Sequence, residues 1–184
     1  MSNAYSPVRE LNLLKELQDR SPGYYSGGFE LRDFGYDPGL AEWLDLKDPR
    51  DLEFLDRLIP FAQASTSGSF FALWKCDDRE DLATLPVIRF GDEGDLDVVA
   101  RGLRELFELL ALDSESFDLE GPDEGYYDTE DGHTDGHSAY LEWLEENFGL
   151  APPEDPDSML DRAEQEFGAR FRDWLRQFAP GDWT

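Results

Sequence analysis

Ser69-Phe70-Phe71-Ala72-Leu73-Trp74-Lys75-Cys76 is an aromatic run of strand length, set off on its N-terminal side by the turn residues Ser65-Thr66-Ser67-Gly68. A continuous apolar run this short, bounded by turn chemistry, reads as a strand buried in a sheet. Two further short apolar runs follow, Pro86 to Phe90 and Leu96 to Val99, linked by Gly91-Asp92-Glu93-Gly94. Strands in such close succession favour antiparallel pairing, because a parallel crossover needs a dozen or more residues. The Gly91–Gly94 link is a turn and not a phosphate cradle. It carries acids where phosphate contact needs backbone donors and a Lys.

Helical periods flank these strands. Ser6-Pro7 opens a segment with Leu11, Leu14 and Leu17 on one face, closed by Ser21-Pro22-Gly23. Tyr24 to Tyr36 alternates aromatics with Gly before Asp37-Pro38-Gly39, as a loop or a short edge strand. Asp48-Pro49 caps a stripe of Leu52, Leu55 and Leu58 that runs to Pro60, although Leu58 to Ala64 equally fits the start of a strand. Beyond the strands, Leu103, Leu106, Phe107 and Leu110 restore the helical period, and Tyr140, Leu141, Leu144 and Phe148 trace another helix ended by Gly149. After Pro152-Pro153-Glu154-Asp155-Pro156, a last helix aligns Leu160, Ala163, Phe167, Phe171, Trp174, Leu175 and Phe178.

Helices, then strands, then helices predict an α+β domain: a largely antiparallel sheet flanked by helices, with a C-terminal helical extension. No internal repeat interrupts it. One domain over residues 5–184 is expected, with a core at 58–111, an acidic loop at 113–137 and C-terminal helices at 138–178.

The 184 residues are 40% hydrophobic and 14% aromatic, too apolar for a disordered acidic tail. Forty-three Asp and Glu against sixteen Lys and Arg give a net charge of -27, and the pI is near 4.1. Such a field repels nucleic acid and anionic membrane, and it attracts and steers a basic protein. The one cysteine, Cys76, cannot form an internal disulfide, which fits a reducing, cytoplasmic setting. Neither a signal-peptide pattern nor an apolar run of membrane-spanning length is expected.

The charge is concentrated. Glu105 to Asp161 holds nineteen acids in fifty-seven residues and no Lys or Arg. Charge runs are commonly solvated faces, yet self-repulsion at this density weakens the fold, and that cost implies use. The expected partner-binding surface comprises Asp113, Glu115, Asp118, Glu120, Asp123, Glu124, Asp128, Glu130, Asp131 and Asp135. Tyr126 and Tyr127, set among these acids, would be its anchors, or would fold back over the sheet.

The same region holds the sharpest candidate for chemistry, Asp128-Thr129-Glu130-Asp131-Gly132-His133-Thr134-Asp135-Gly136-His137. Imidazoles with carboxylates suit zinc and related ions. Two His four apart meet on a helix face, but Gly132 and Gly136 make this segment a loop, and a calcium-loop pattern fails because Gly132 stands where an acid is needed. No metal, cofactor or catalytic residue is therefore assigned. A metal-dependent enzyme centred on His133 and His137 stands as the alternative. Cys76 is read as a buried, inert thiol whose pKa Asp77 and Asp78 would raise. Trp74 is core unless it proves exposed, in which case it would be a partner anchor.

One combination of pieces goes further. Leu58-Ile59-Pro60-Phe61-Ala62, then Ser67-Gly68-Ser69-Phe70-Phe71-Ala72-Leu73-Trp74, then Pro86-Val87-Ile88, Gly91-Asp92-Glu93-Gly94 and Val98-Val99-Ala100 before the Leu103–Leu110 helix together resemble the SMI1/KNR4 family of the SUKH superfamily. Specificity lies in their order and spacing over Leu58 to Ala111. Tyr140-Leu141-Glu142-Trp143-Leu144 and the final helix resemble the C-terminal extension of many bacterial members, whereas Ser26-Gly27-Gly28 only echoes the family's N-terminal turn. The resemblance implies an α+β fold with a helix-flanked sheet. It also implies, for bacterial members, a non-enzymatic immunity protein that binds and neutralises a cognate toxin, here a basic one such as a nuclease. Fungal relatives imply a second role, that of a regulatory interaction scaffold.

Overall fold

The aromatic run does form a central strand. The computed structural model describes residues 4–114, 132–179 and 181. Its elements are α1 (Arg9–Arg20), β1 (Glu30–Leu31), α2 (Leu40–Trp43), α3 (Leu52–Leu55), β2 (Leu58–Gln63), β3 (Phe70–Trp74), β4 (Val87–Phe90), β5 (Leu96–Ala100), α4 (Leu103–Leu110), α5 (His137–Phe148), α6 (Pro156–Ala163) and α7 (Ala169–Leu175). The strands form a five-stranded sheet in the order β1-β2-β3-β4-β5, every neighbour antiparallel. The protein is thus α+β, as the order of periods predicts.

Every residue of β3 is buried, because successive side chains of a strand point to opposite faces and both faces of this sheet are covered. Phe71 and Leu73 belong to one apolar cluster, with Leu11 and Leu14 of α1, Leu106 and Phe107 of α4, and Tyr140 and Leu144 of α5. Phe70, Ala72 and Trp74 belong to the other, with Leu40 of α2, Phe167, Phe171, Leu175 and Phe178. Trp74 is 2% exposed. The sequence alternatives for it resolve to core.

The ambiguity at Leu58 also resolves. Leu58 to Gln63 is a strand, and the helical stripe before it shrinks to the single turn of α3. Pro60 lacks a ladder donor, and the register between β2 and β3 slips just there, between Pro60 and Ala62. Such a bulge is where a strand tolerates proline. The freed carbonyls are used: Gly35 N donates to Pro60 O at 2.8 Å and Arg32 N to Phe61 O at 2.9 Å. The Tyr24–Tyr36 stretch contributes only the two-residue edge strand β1. Across β4 and β5, Arg89 lies opposite Asp97 in register, and its guanidinium bridges Asp95 and Asp97.

The final helical stripe is continuous but not uniform. Between α6 and α7 a π turn spans Glu164–Gly168. Gly168 is close-packed there: a Cβ on it would fall within 2.5 Å of the Glu164 carboxyl atoms. Phe171 meets Trp74 edge-on at 4.9 Å between ring centroids, and Phe178 stacks on Phe54 at 4.3 Å. This segment closes the second face of the sheet. Among the described residues, no helix is long and apolar enough to cross a membrane.

Candidate functional site

The end of α4 and the start of α5 lie side by side, joined by contacts of Asp113 and Ala111 with residues 133–137. The expected binding residues Glu115, Asp118, Glu120, Asp123, Glu124, Tyr126, Tyr127, Asp128, Glu130 and Asp131 lie outside the described residues. Asp135 is exposed. Asp113 differs from the expectation. It is buried, with its side chain fully shielded, so it holds structure together instead of facing a partner.

Local chemistry explains why. Helix α4 ends at Leu110, and Asp113 adopts a left-handed φ of 58°, with its N–H donating to Leu110 O at 3.1 Å. Among non-glycine residues Asp and Asn tolerate that conformation best, and it is the usual way a helix end is turned away. The terminal carbonyls of α4 find side-chain donors: Ser26 Oγ donates to Leu110 O at 2.8 Å, and His137 Nε2 to Ala111 O at 2.8 Å. The turn delivers the Asp113 carboxylate to the loop that leads into α5. There Thr134 donates to it twice, from its N–H at 2.6 Å and its Oγ1 at 3.0 Å, and His133 Nδ1 lies 3.3 Å away.

The second wall is the start of α5. Gly136 donates its N–H to Tyr24 O at 3.0 Å, and an added Cβ at Gly136 would sit 2.8 Å from Tyr25 Cβ. Only glycine permits so close an approach of backbone to backbone. One residue later His137 opens α5, buried, and its ring stacks on that of His133 at 4.0 Å between centroids. Behind it Tyr140 stacks on Tyr25 at 5.5 Å and donates its hydroxyl to Phe107 O at 2.7 Å, and burial pushes that hydroxyl well above the usual phenol range. Gly132 and Gly136 do keep His133 off the helix, as expected. The loop nevertheless folds the two imidazoles together, and one potential ligand atom each from Asp113, His133 and His137 lies within 4.8 Å of the others. The sequence pattern contained both histidines but not Asp113, twenty residues before His133 and joined to it only by the fold.

The acids of α5 and of the segment from Glu154 to Asp161 face outward, whereas Glu105 and Glu108 of α4 are partly buried. On α5, Glu142, Glu145 and Glu146 are exposed while Tyr140, Trp143 and Leu144 of the same helix are buried. Residues three and four apart share a helix face, so these carboxylates form one acidic ridge with no basic residue within the stretch to offset it. Glu154, Asp155, Asp157 and Asp161 extend the exposed set, and Asp155 also caps α6 through Ser158 N at 3.0 Å. On α4, burial first and the neighbouring Glu105 second raise the pKa of Glu108.

Elsewhere the surface offers open clefts. One of about 430 Å³ is lined by Phe54, Arg57, Trp74, Lys75, Cys76 and Trp174, among others. Cys76 is half-buried at its wall, not fully buried as expected, and burial first, then Asp77, push its thiol pKa up. Arg57 is engaged with Asp78 at 3.2 Å. Compared with models of known protein families, with curated proteins and with solved structures, the chain finds no match.

Proposed function

We propose that this chain is a bacterial immunity protein of the SMI1/KNR4 type that neutralises a cognate basic toxin domain, such as a nuclease, by covering its active site. The observation that carries the reading is the base-free run of nineteen acids from Glu105 to Asp161. Its described part projects an acidic ridge from α5, on a domain whose sheet is covered on both faces. The meander of β2 to β5 running directly into α4 agrees with the order of pieces behind the family resemblance.

Occlusion follows from charge. A nuclease holds phosphate with Lys and Arg, and carboxylates presented at the same spacing compete for those cations. Long-range attraction raises the encounter rate, while desolvated aromatic anchors such as Tyr126 and Tyr127 would supply the residence time. Nothing in this mechanism asks the protein to make or break a covalent bond.

The test is inhibition by stoichiometry. The purified chain is titrated into the toxin domain encoded beside it and the toxin's activity is followed. Loss of activity complete at one equivalent is expected. Toxin that stays fully active at saturating chain overturns the proposal.

A further inference from the structure

We infer that Asp113, His133 and His137 form a binding site for a single divalent transition-metal ion of the zinc class, placed so that the ion ties the turn after α4 to the start of α5. The three residues come from three separate positions: the left-handed turn after α4, the loop before α5, and the first residue of α5. Their ligand atoms already lie within 4.8 Å of one another. Ligands about 2.0–2.2 Å from zinc lie roughly 3–3.5 Å apart. Closing that difference takes side-chain adjustments on the order of 1 Å, which His133, with its side chain 51% exposed, is free to make.

The groups behind the ligands are arranged as metal sites require. A backbone carbonyl can only accept, so the 2.8 Å contact with Ala111 O fixes the proton of neutral His137 on Nε2 and leaves its lone pair on Nδ1. An imidazole whose other nitrogen donates to a carbonyl is the usual outer support of a metal-bound histidine. The Asp113 carboxylate is likewise steadied by two donors from Thr134, at its N–H and its Oγ1. The two imidazole rings lie 4.0 Å apart between centroids with 22° between their planes.

Charge supplies the motive. The Asp113 side chain is fully buried, and among the described residues no Lys or Arg pairs with it. Among the described residues, Thr134 and His133 stand at hydrogen-bond distance from it. A buried carboxylate without a cationic partner is costly, and a divalent ion provides the missing charge. Two nitrogens with one carboxylate favour zinc, cobalt or nickel over magnesium and calcium, which prefer all-oxygen shells. The half-exposed side of His133 leaves room for water to complete the coordination.

Position gives the site a role. Asp113 follows α4, His133 lies in the loop before α5 and His137 opens α5, so a bound ion ties the end of one helix to the start of the other. The site stands apart from the identity of any partner. It can be right with the immunity reading wrong, and the reverse.

The test is zinc binding by the full chain after chelator treatment, followed by calorimetry, with cobalt substitution as the spectroscopic readout. One saturable equivalent, a visible cobalt band and a rise in melting temperature are expected for zinc, with no comparable rise for magnesium or calcium. His133→Ala should weaken zinc binding at least tenfold and remove the zinc-dependent rise in melting temperature. Thr134→Val, which keeps all three ligands, should weaken binding about tenfold or more through the loss of support at Asp113. Absence of a saturable equivalent overturns the inference. So does zinc binding that His133→Ala leaves within threefold of the parent chain, because the ion would then sit among other acids.

Discussion

Gly136 and Asp113 show how single residues set the site. Gly136 is the point where the start of α5 touches the Tyr24–Tyr25 backbone, and an added methyl would lie 2.8 Å from Tyr25 Cβ and 3.0 Å from Tyr24 O. Neither neighbour is the free end of a flexible chain. Gly136→Ala is therefore expected to destabilise the fold by about 1–3 kcal/mol, as other small-to-large changes in packed sites do. Urea denaturation checks this; an unchanged midpoint would show that the contact relaxes without cost. At this scale the sequence was half legible. His133 and His137 stood out because nothing else in the chain pairs two imidazoles at that spacing. Asp113 did not, because it is one acid among forty-three and its importance comes from the left-handed turn that buries it.

Secondary structure was the most legible scale where apolar pattern decides alone. β3 is apolar on both faces because both are covered, and α4 shows the period of a half-buried helix, with Leu103, Leu106, Phe107 and Leu110 inward. Leu58 to Gln63 was ambiguous for a physical reason: Leu52, Leu55 and Leu58 satisfy a helical period, and Pro60 argues against an interior strand until a bulge accommodates it. The π turn had no sequence signal beyond the small residue Gly168. Phe167 within it and Phe171 after it are both buried against the sheet. The α6 to α7 segment should act as the lid of one sheet face. Phe171→Ala removes the ring that meets Trp74 and Trp174 at 4.9 and 5.7 Å, and it should cost about 3–5 kcal/mol in urea unfolding. A loss below about 1 kcal/mol would mean that the segment rests on the sheet without sealing it.

Across the whole molecule, the two covered faces of the sheet leave the charge distribution as the feature that points outward. Sixteen basic residues do not balance forty-three acids, yet the basic ones are placed. Arg89 neutralises Asp95 and Asp97 at the sheet, and Arg101 joins Glu105 and Glu166 between α4 and the C-terminal segment. The stretch from Glu105 to Asp161 contains none, which leaves Glu142, Glu145 and Glu146 exposed without a basic neighbour inside the stretch. The sequence made this asymmetry plain, since counting charges needs no fold. It could not show that Asp113 leaves the surface while the α5 ridge joins it, because both follow from how α4 ends and α5 begins. Binding of a basic partner should then be steered by this field. The most direct measurement is the association rate with the proposed basic toxin domain between about 50 and 500 mM salt, for the parent chain and for a variant with Asp123, Glu124, Asp128 and Glu130 changed to Lys. The account predicts a parent rate that falls by about tenfold or more across that range, and a variant that associates at least about tenfold more slowly at the low-salt end. A rate indifferent to salt and to the charge reversal would contradict it.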